Sequence, residues 1–357
     1  MKRDIKLIAA ITFVLSISGC GTQNQGSSVS SSTPTNESAT VAEVTETSIP
    51  QKSEETIENE TQYPITISNF NYAREQVEQT FEKPPERVLA VYQNSIETLL
   101  ALGLEDRILA AAGLDHEVKP EYAEVFSQVN YLTEFAPDKE TVVMMQPDFI
   151  ISWHSFFGET RLGEVDYWHD SGINTYMKVN SGAVPNNRVL ENEYEDILNM
   201  GRIFNVEDKA EAIVSEIREE VVKVSEHSQN LDERRKVLVL EFLSDTIHVY
   251  GETTLAGDMV QQLNGNLISV EGNSIGHEDL ILLNPDVIFV IYMDHDDEDM
   301  SIVSINRILN EPMFASLTAV QNEKVYAVPL AEVYCSGIRT IDGIKTLATG
   351  IYPELYN

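Results

Sequence analysis

Two stretches of this chain, ETVVMMQPD at 140–148 and EDLILLNPD at 278–286, spell one phrase twice, and that duplication restricts the fold more than any single motif does. At one constant offset Glu140 matches Glu278, Val142 matches Leu280, Met145 matches Leu283, Gln146 matches Asn284, Pro147 matches Pro285 and Asp148 matches Asp286. Each copy reads as a short helix halted ahead of proline, a Pro-Asp turn, and a buried strand, FIISW in one and VIFVIY in the other. A duplicated unit of this kind implies two similar lobes.

The surrounding segments carry the same alternation of elements. PERVLAVYQNSIETLLALGLEDRILAAAG predicts a strand over 88–92, a polar loop at Gln93, Asn94 and Ser95, a helix ending near Gly103, and a second strand. RVLAVY, RILAAA and DFIIS are apolar without alternation, as strands of a parallel sheet covered on both faces should be. KVLVLEF opens the second half in the same way, and TLAGDMVQQLNGNLIS again gives helix, glycine and strand. Between the halves, Ala210, Ile213, Ile217, Val221 and Val224 recur at helical spacing and predict one long amphipathic helix, a stiff strut that permits only small lobe motions.

The N-terminus reads as an address. Lys2, Arg3 and Lys6 precede the short apolar run LIAAITFVLSIS, with Gly19 and Cys20 directly after it, which is the pattern of a secretory signal over 1–19. ISGC is similar to a bacterial lipobox, and that resemblance implies cleavage before Cys20, acylation of its sulfur, and an extracytoplasmic protein anchored to the cell membrane. Residues 20–62, rich in Ser and Thr and lacking aromatic residues, are expected to be a disordered tether. The formal charge of -34 argues against nucleic-acid binding. With Cys20 acylated, Cys335 is the one cysteine left, so the body has no disulfide and its cysteine is expected to pack as a small hydrophobe.

PERVLAVYQNSIETLLALGLEDRI, the paired phrases, ILNMGRIFNVEDKA, and the ending VYAVP followed by GIRTIDGIKTLATGIYPEL together resemble the substrate-binding lipoproteins of ABC importers for iron complexes, over residues 64–355. The resemblance implies an α/β fold of two Rossmann-like lobes, 63–187 and 231–357, joined by one backbone helix within 188–230, with the ligand in a shallow cleft between them. It also implies that Glu140 and Glu278 meet arginines on the two permease subunits, one carboxylate per lobe fixing orientation on a two-fold partner. The residues by themselves favour each glutamate as a first-turn anion facing its helix dipole; the repeat and the resemblance turn that reading towards docking.

Open α/β sheets bind ligands outside their strand carboxyl ends, so the cleft should be lined by loops after the strands. Those loops carry Gln93, His116, Trp153 and His154 in the first half and Tyr292, Tyr334 and Arg339 in the second, with Arg188 at the junction. Aromatic faces and guanidinium groups suit a large, partly apolar ferric chelate whose outer oxygens accept hydrogen bonds. His116, His154, His277 and His295 lie at no metal-ligand spacing, so no resident metal or cofactor is expected, although one His or Tyr from each lobe would suffice for haem iron. The run DHDDED at 294–299 lacks the glycine and closing glutamate of a calcium loop and reads as a solvated surface loop. No G-x-G-x-x-G follows the first strand, and P-loop and G-x-S-x-G motifs are missing, so an enzyme is not expected. The expected function is capture of a ferric siderophore or similar iron chelate by a monomeric, lipid-anchored protein that delivers it to an ABC permease dimer. Haem or cobalamin is the alternative ligand, and a surface adhesin the alternative role.

Overall fold

Side-chain amides do the work of a strand at one edge of this protein. The computed structural model describes residues 62–229, 231, 233–243, 246–294 and 299–356. The signal segment, Cys20, the tether up to 61, and His295 lie outside the described residues. An antiparallel hairpin, β1 (Ile65–Phe70) and β2 (Gln76–Phe81), opens the body. It packs on the edge of a four-stranded parallel sheet formed by β3 (Val88–Val91), β4 (Ile108–Ala112), β5 (Phe149–Trp153) and β6 (Asn174–Lys178) in the order β4-β3-β5-β6. Asn69 accepts from the Met177 N–H at 2.7 Å and donates to its carbonyl at 3.1 Å, while Gln79 pairs with the N–H and carbonyl of Thr175. The exposed edge of β6 is thereby closed, which removes an aggregation-prone row of unpaired backbone groups.

The second lobe is built on a mixed sheet. Its strands are β7 (Lys236–Leu243), β8 (Thr246–Val249), β9 (Asn266–Leu267), β10 (Ser274–Ile275), β11 (Val287–Tyr292) and β12 (Val325–Pro329). β7, β11 and β12 run parallel, β9 pairs in parallel with the start of β7, and β8 and β10 add an antiparallel flap. Val88–Val91, Val237–Leu240 and Val287–Ile291 are buried, as strands of a parallel sheet covered on both faces should be. Among the described residues no helix is long and apolar enough to cross a membrane.

The structure gives the repeated phrase a physical explanation. Helices Lys139–Met145 and His277–Leu283 both end on a left-handed residue, Gln146 at φ 54 and Asn284 at φ 41. Pro-Asp follows each. The Asp148 carboxylate accepts the N–H groups of Glu86 and Arg87 at 2.8 and 2.9 Å, and that of Asp286 accepts the Lys236 N–H at 2.7 Å. Each aspartate thus fixes the start of the neighbouring parallel strand. A cation completes both copies: Arg87 Nη2 donates to the Met145 carbonyl at 2.7 Å, and Lys236 Nζ to that of Asn284 at 2.9 Å, neutralising a helix C-terminus.

Two local expectations change. Gln93, Asn94 and Ser95 form the first turn of the helix Gln93–Ala101 rather than a loop, since Tyr92 turns the chain at φ 84 and the helix begins immediately. The segment between the lobes is two helices, Leu190–Phe204 and Glu207–Ser228, not one. Asn205 takes a left-handed conformation at φ 56, which asparagine tolerates better than most residues, and ends the first helix. Gly201 lets the second fold back, because a Cβ there would stand 2.6 Å from the Ala210 Cβ.

Candidate functional site

The carboxyl ends of the parallel strands from both lobes converge on one wall of aromatic rings. Tyr92, at the end of β3, lies tilted on Trp153 with ring centroids 3.6 Å apart, and Trp153 meets Tyr334 of the second lobe at 5.3 Å. The backbone of Tyr92, at φ 84 and ψ 153, occupies a region that side-chain-bearing residues seldom adopt, at a cost of about 1–3 kcal/mol. That cost is tolerated at a position whose ring forms part of the wall. Trp153 is further oriented by Nε1 donating to Asn94 Oδ1 at 2.8 Å.

Arg188 covers the other side of Tyr334, its guanidinium carbon 4.5 Å from the ring centroid, and its Nε donates to the Asn180 carbonyl at 2.7 Å. Among the described residues it forms no ion pair. Tyr250 and Glu241 stand nearby, joined by a 2.7 Å hydrogen bond from the phenol to the carboxylate, and burial and the Glu241 charge push the Tyr250 phenol far up. Burial likewise raises Tyr334, with Arg188 opposing it.

Gln93 and His116 sit beneath the cleft. Gln93 Oε1 accepts the N–H groups of Asp115 and His116, both at 3.1 Å. His116 is 7% exposed; its Nδ1 lies 2.7 Å from Asp294 of the opposite lobe and its ring meets Tyr292 edge-on at 6.0 Å. Gln93 Nε2 and His116 Nε2 are buried and have no hydrogen-bond partner among the described residues. Such atoms are costly to leave unpaired, about 1–3 kcal/mol each. Tyr292 is raised to about 12 by burial and the neighbouring Asp294.

The remaining expected site residues stand apart from this wall. His154 stacks on Tyr72 at 4.9 Å and faces the Tyr72 carbonyl through Nε2, and desolvation lowers its pKa. Arg339 is committed to the buried Glu97, with Nε to Oε2 at 2.6 Å and Nη2 to Oε1 at 2.7 Å, and also donates to the Glu117 carbonyl. Because Glu97 lies in the first lobe and Arg339 in the second, this pair joins the lobes behind the cleft. Lys119 and Asp342 form a second such pair at 2.7 Å. Glu140 and Glu278 are exposed in the first turns of their helices and make no ion pair among the described residues. Cys335 is buried, accepts from Asn94 Nδ2 at 3.0 Å, and is held well above the usual thiol range by burial.

Sequence reasoning missed the charged groups under the site. Glu193, fully buried on the helix Leu190–Phe204, accepts from the backbone of Ser336 and Gly337 and from Asn180, tying both lobes to the linker. Asp196 on the same helix is fully buried, accepts from the Tyr176 hydroxyl and the Val179 N–H, and lies 3.8 Å from Lys178 Nζ. Burial pushes its carboxyl up to about 7, with Lys178 opposing the shift. Since the native carboxyl holds its proton to higher pH than the unfolded one, near 4, its contribution to stability is full below about pH 4 and is lost as pH rises towards about 7. Asp196→Asn should flatten that part of the profile, read as urea midpoints at pH 4.5 and 7.5; an unchanged difference between the two would refute the assignment.

A cavity of about 160 Å³ lies at the ends of β7 and β11, lined by Glu241, Phe242, Tyr292, Met300 and Arg307. A larger hollow of about 460 Å³, between the linker helices and Asp258, touches none of the expected ligand residues.

The family model described as periplasmic binding protein matches residues 88–331. YvrC of Bacillus subtilis (strain 168), named as an uncharacterised ABC transporter substrate-binding lipoprotein, is 22% identical over 299 residues, covering 82% of this chain and 87% of its own. The petrobactin-binding protein YclQ of the same strain is 26% identical over 266 residues, 71% of this chain and 78% of its own. A solved periplasmic binding protein from Veillonella parvula DSM 2008 superposes with a TM-score of 0.77 at 34% identity, covering 83% of this chain and 94% of that one. IsdE of S. aureus, solved in complex with heme, shares the fold at a TM-score of 0.57 and 17% identity, over 74% of this chain and 98% of its own.

Proposed function

We propose, from the premise that this chain belongs to the periplasmic binding protein family, that it is the substrate-binding protein of an ABC importer and carries a ferric siderophore or similar iron chelate between its lobes. The wall of Trp153, Tyr334 and Arg188, drawn from both lobes and the junction, is the observation that carries this reading. Rings cover the apolar arms of a chelate, and the guanidinium donates to its outer oxygens. Cys20, acylated, holds the protein outside the membrane, and Glu140 and Glu278 meet the two permease subunits. Haem is the second reading, favoured by His116 Nε2, which is buried and has no hydrogen-bond partner among the described residues, beside Tyr292.

Tryptophan fluorescence separates the readings. Trp153 faces the cleft, whereas Trp168 is fully buried in the first lobe with Nε1 bonded to the Leu162 carbonyl. Residues 63–357 titrated with ferric hydroxamate, catecholate and carboxylate siderophores should be quenched saturably by one class, and Trp153→Phe should remove most of the quench. A Soret band on adding haemin, lost in His116→Ala, would select the haem reading. A folded protein silent to every chelate and to haemin would refute the importer proposal.

A further inference from the structure

We infer that Met144 and Leu282 are a matched pair of apolar docking knobs that seat this protein on the two transmembrane subunits of its permease. The inference rests on the importer reading above and adds to its two glutamates. Met144 is 77% exposed and Leu282 83%, the two most exposed large hydrophobic residues among those described. Both occupy the same place in the internal repeat. On the helix Lys139–Met145, Val142 is fully buried while Met144 stands in solvent, and on His277–Leu283 the same holds for Leu280 and Leu282. Each knob lies four residues after the docking glutamate of its own helix, so the two side chains share one helix side.

A solitary exposed apolar residue needs no explanation. Recurrence at equivalent positions, one per lobe and each beside an exposed carboxylate, is different: it matches a partner that offers the same surface twice, as two symmetry-related subunits do. The chemistry of each partner surface follows, namely a cationic group for the carboxylate and an apolar recess beside it. A second copy of this chain does not fit. Asp138 and Glu140 flank one knob and Glu278 and Asp279 the other, and the chain carries a formal charge of -34, so self-association through these helix ends would oppose like charges. An anionic lipid surface is disfavoured on the same ground.

Burying each knob should tighten docking about tenfold or more. The test uses the full chain in cells that depend on it for iron. A photoreactive benzoylphenylalanine at position 144 or 282 should form adducts with an integral-membrane ABC permease subunit, whereas the same probe at Val222, 51% exposed on the helix Glu207–Ser228, should not. Met144→Ser with Leu282→Ser should lower uptake of radioiron, supplied as the ferric siderophore that quenches Trp153, at least tenfold with the quench itself unchanged. Adducts between two copies or with lipid, or undiminished uptake in the double variant, would overturn the knobs. If probes at positions 140 and 278 capture the permease while those at 144 and 282 do not, the knobs fail and glutamate docking stands. Capture at none of the four positions overturns both.

Discussion

Replacing Arg339 with alanine is expected to cost the fold about 3–5 kcal/mol, because it leaves a fully buried carboxylate without its partner. Glu97 is 0% exposed and receives both nitrogens of the guanidinium fork, so truncating Arg339 strips its buried charge of that pairing. Such a loss is a large share of the total stability of about 5–15 kcal/mol usual for a domain. The pair also sits where the lobes touch. Gly337, at φ 54, brings the second lobe so close to the helix Gln93–Ala101 that a Cβ there would lie 2.9 Å from Thr98 Oγ1. Adding Glu97→Gln to Arg339→Ala should restore much of the stability, since an uncharged amide still accepts the Lys119 N–H, which Glu97 Oε1 now receives at 2.9 Å. Urea midpoints of the three proteins decide the matter, and a loss under about 1 kcal/mol for Arg339→Ala would place the pair among weak surface bridges.

Arg188→Ala should leave the fold nearly intact and weaken the ferric chelate about ten- to hundredfold, the equivalent of one or two charge-assisted hydrogen bonds. Its guanidinium stands over the Tyr334 ring and forms no ion pair among the described residues, whereas that of Arg339 is tied to a buried carboxylate. Arg188→Lys should recover little, because an ammonium neither stacks on the ring as a plane nor presents a fork of donors. Fluorescence titration gives the affinities. Equal binding by parent and Arg188→Ala would remove this residue from the site and shift the weight to the Gln93 amide and the His116 imidazole, each with a buried nitrogen unpaired among the described residues.

Some of this was readable beforehand for a simple reason: local periodicity and duplication survive in one dimension. Uninterrupted apolar runs marked the parallel strands, and the repeat marked two lobes; Trp153 and Tyr292, expected in the loops after their strands, are instead the last residues of β5 and β11. The break at Asn205 left a weaker trace, since asparagine is common inside and outside helices and its left-handed turn depends on how two helices pack. The hairpin at 65–81 was invisible as a sheet cap because its decisive contacts are two amide side chains facing β6.

By itself, then, the sequence determined an α/β protein of two similar lobes, each turning at Pro-Asp into a buried strand, since burial pattern and turn chemistry are properties of neighbouring residues. Tertiary structure alone decided which charges meet. Glu97 with Arg339, Lys178 with Asp196, and Glu193 with the backbone of Ser336 and Gly337 join positions far apart in the chain, and long-range pairing between single residues leaves no period to read. The same physics separates the two arginines of the site: folding buries a carboxylate against one and leaves the other lying on a ring.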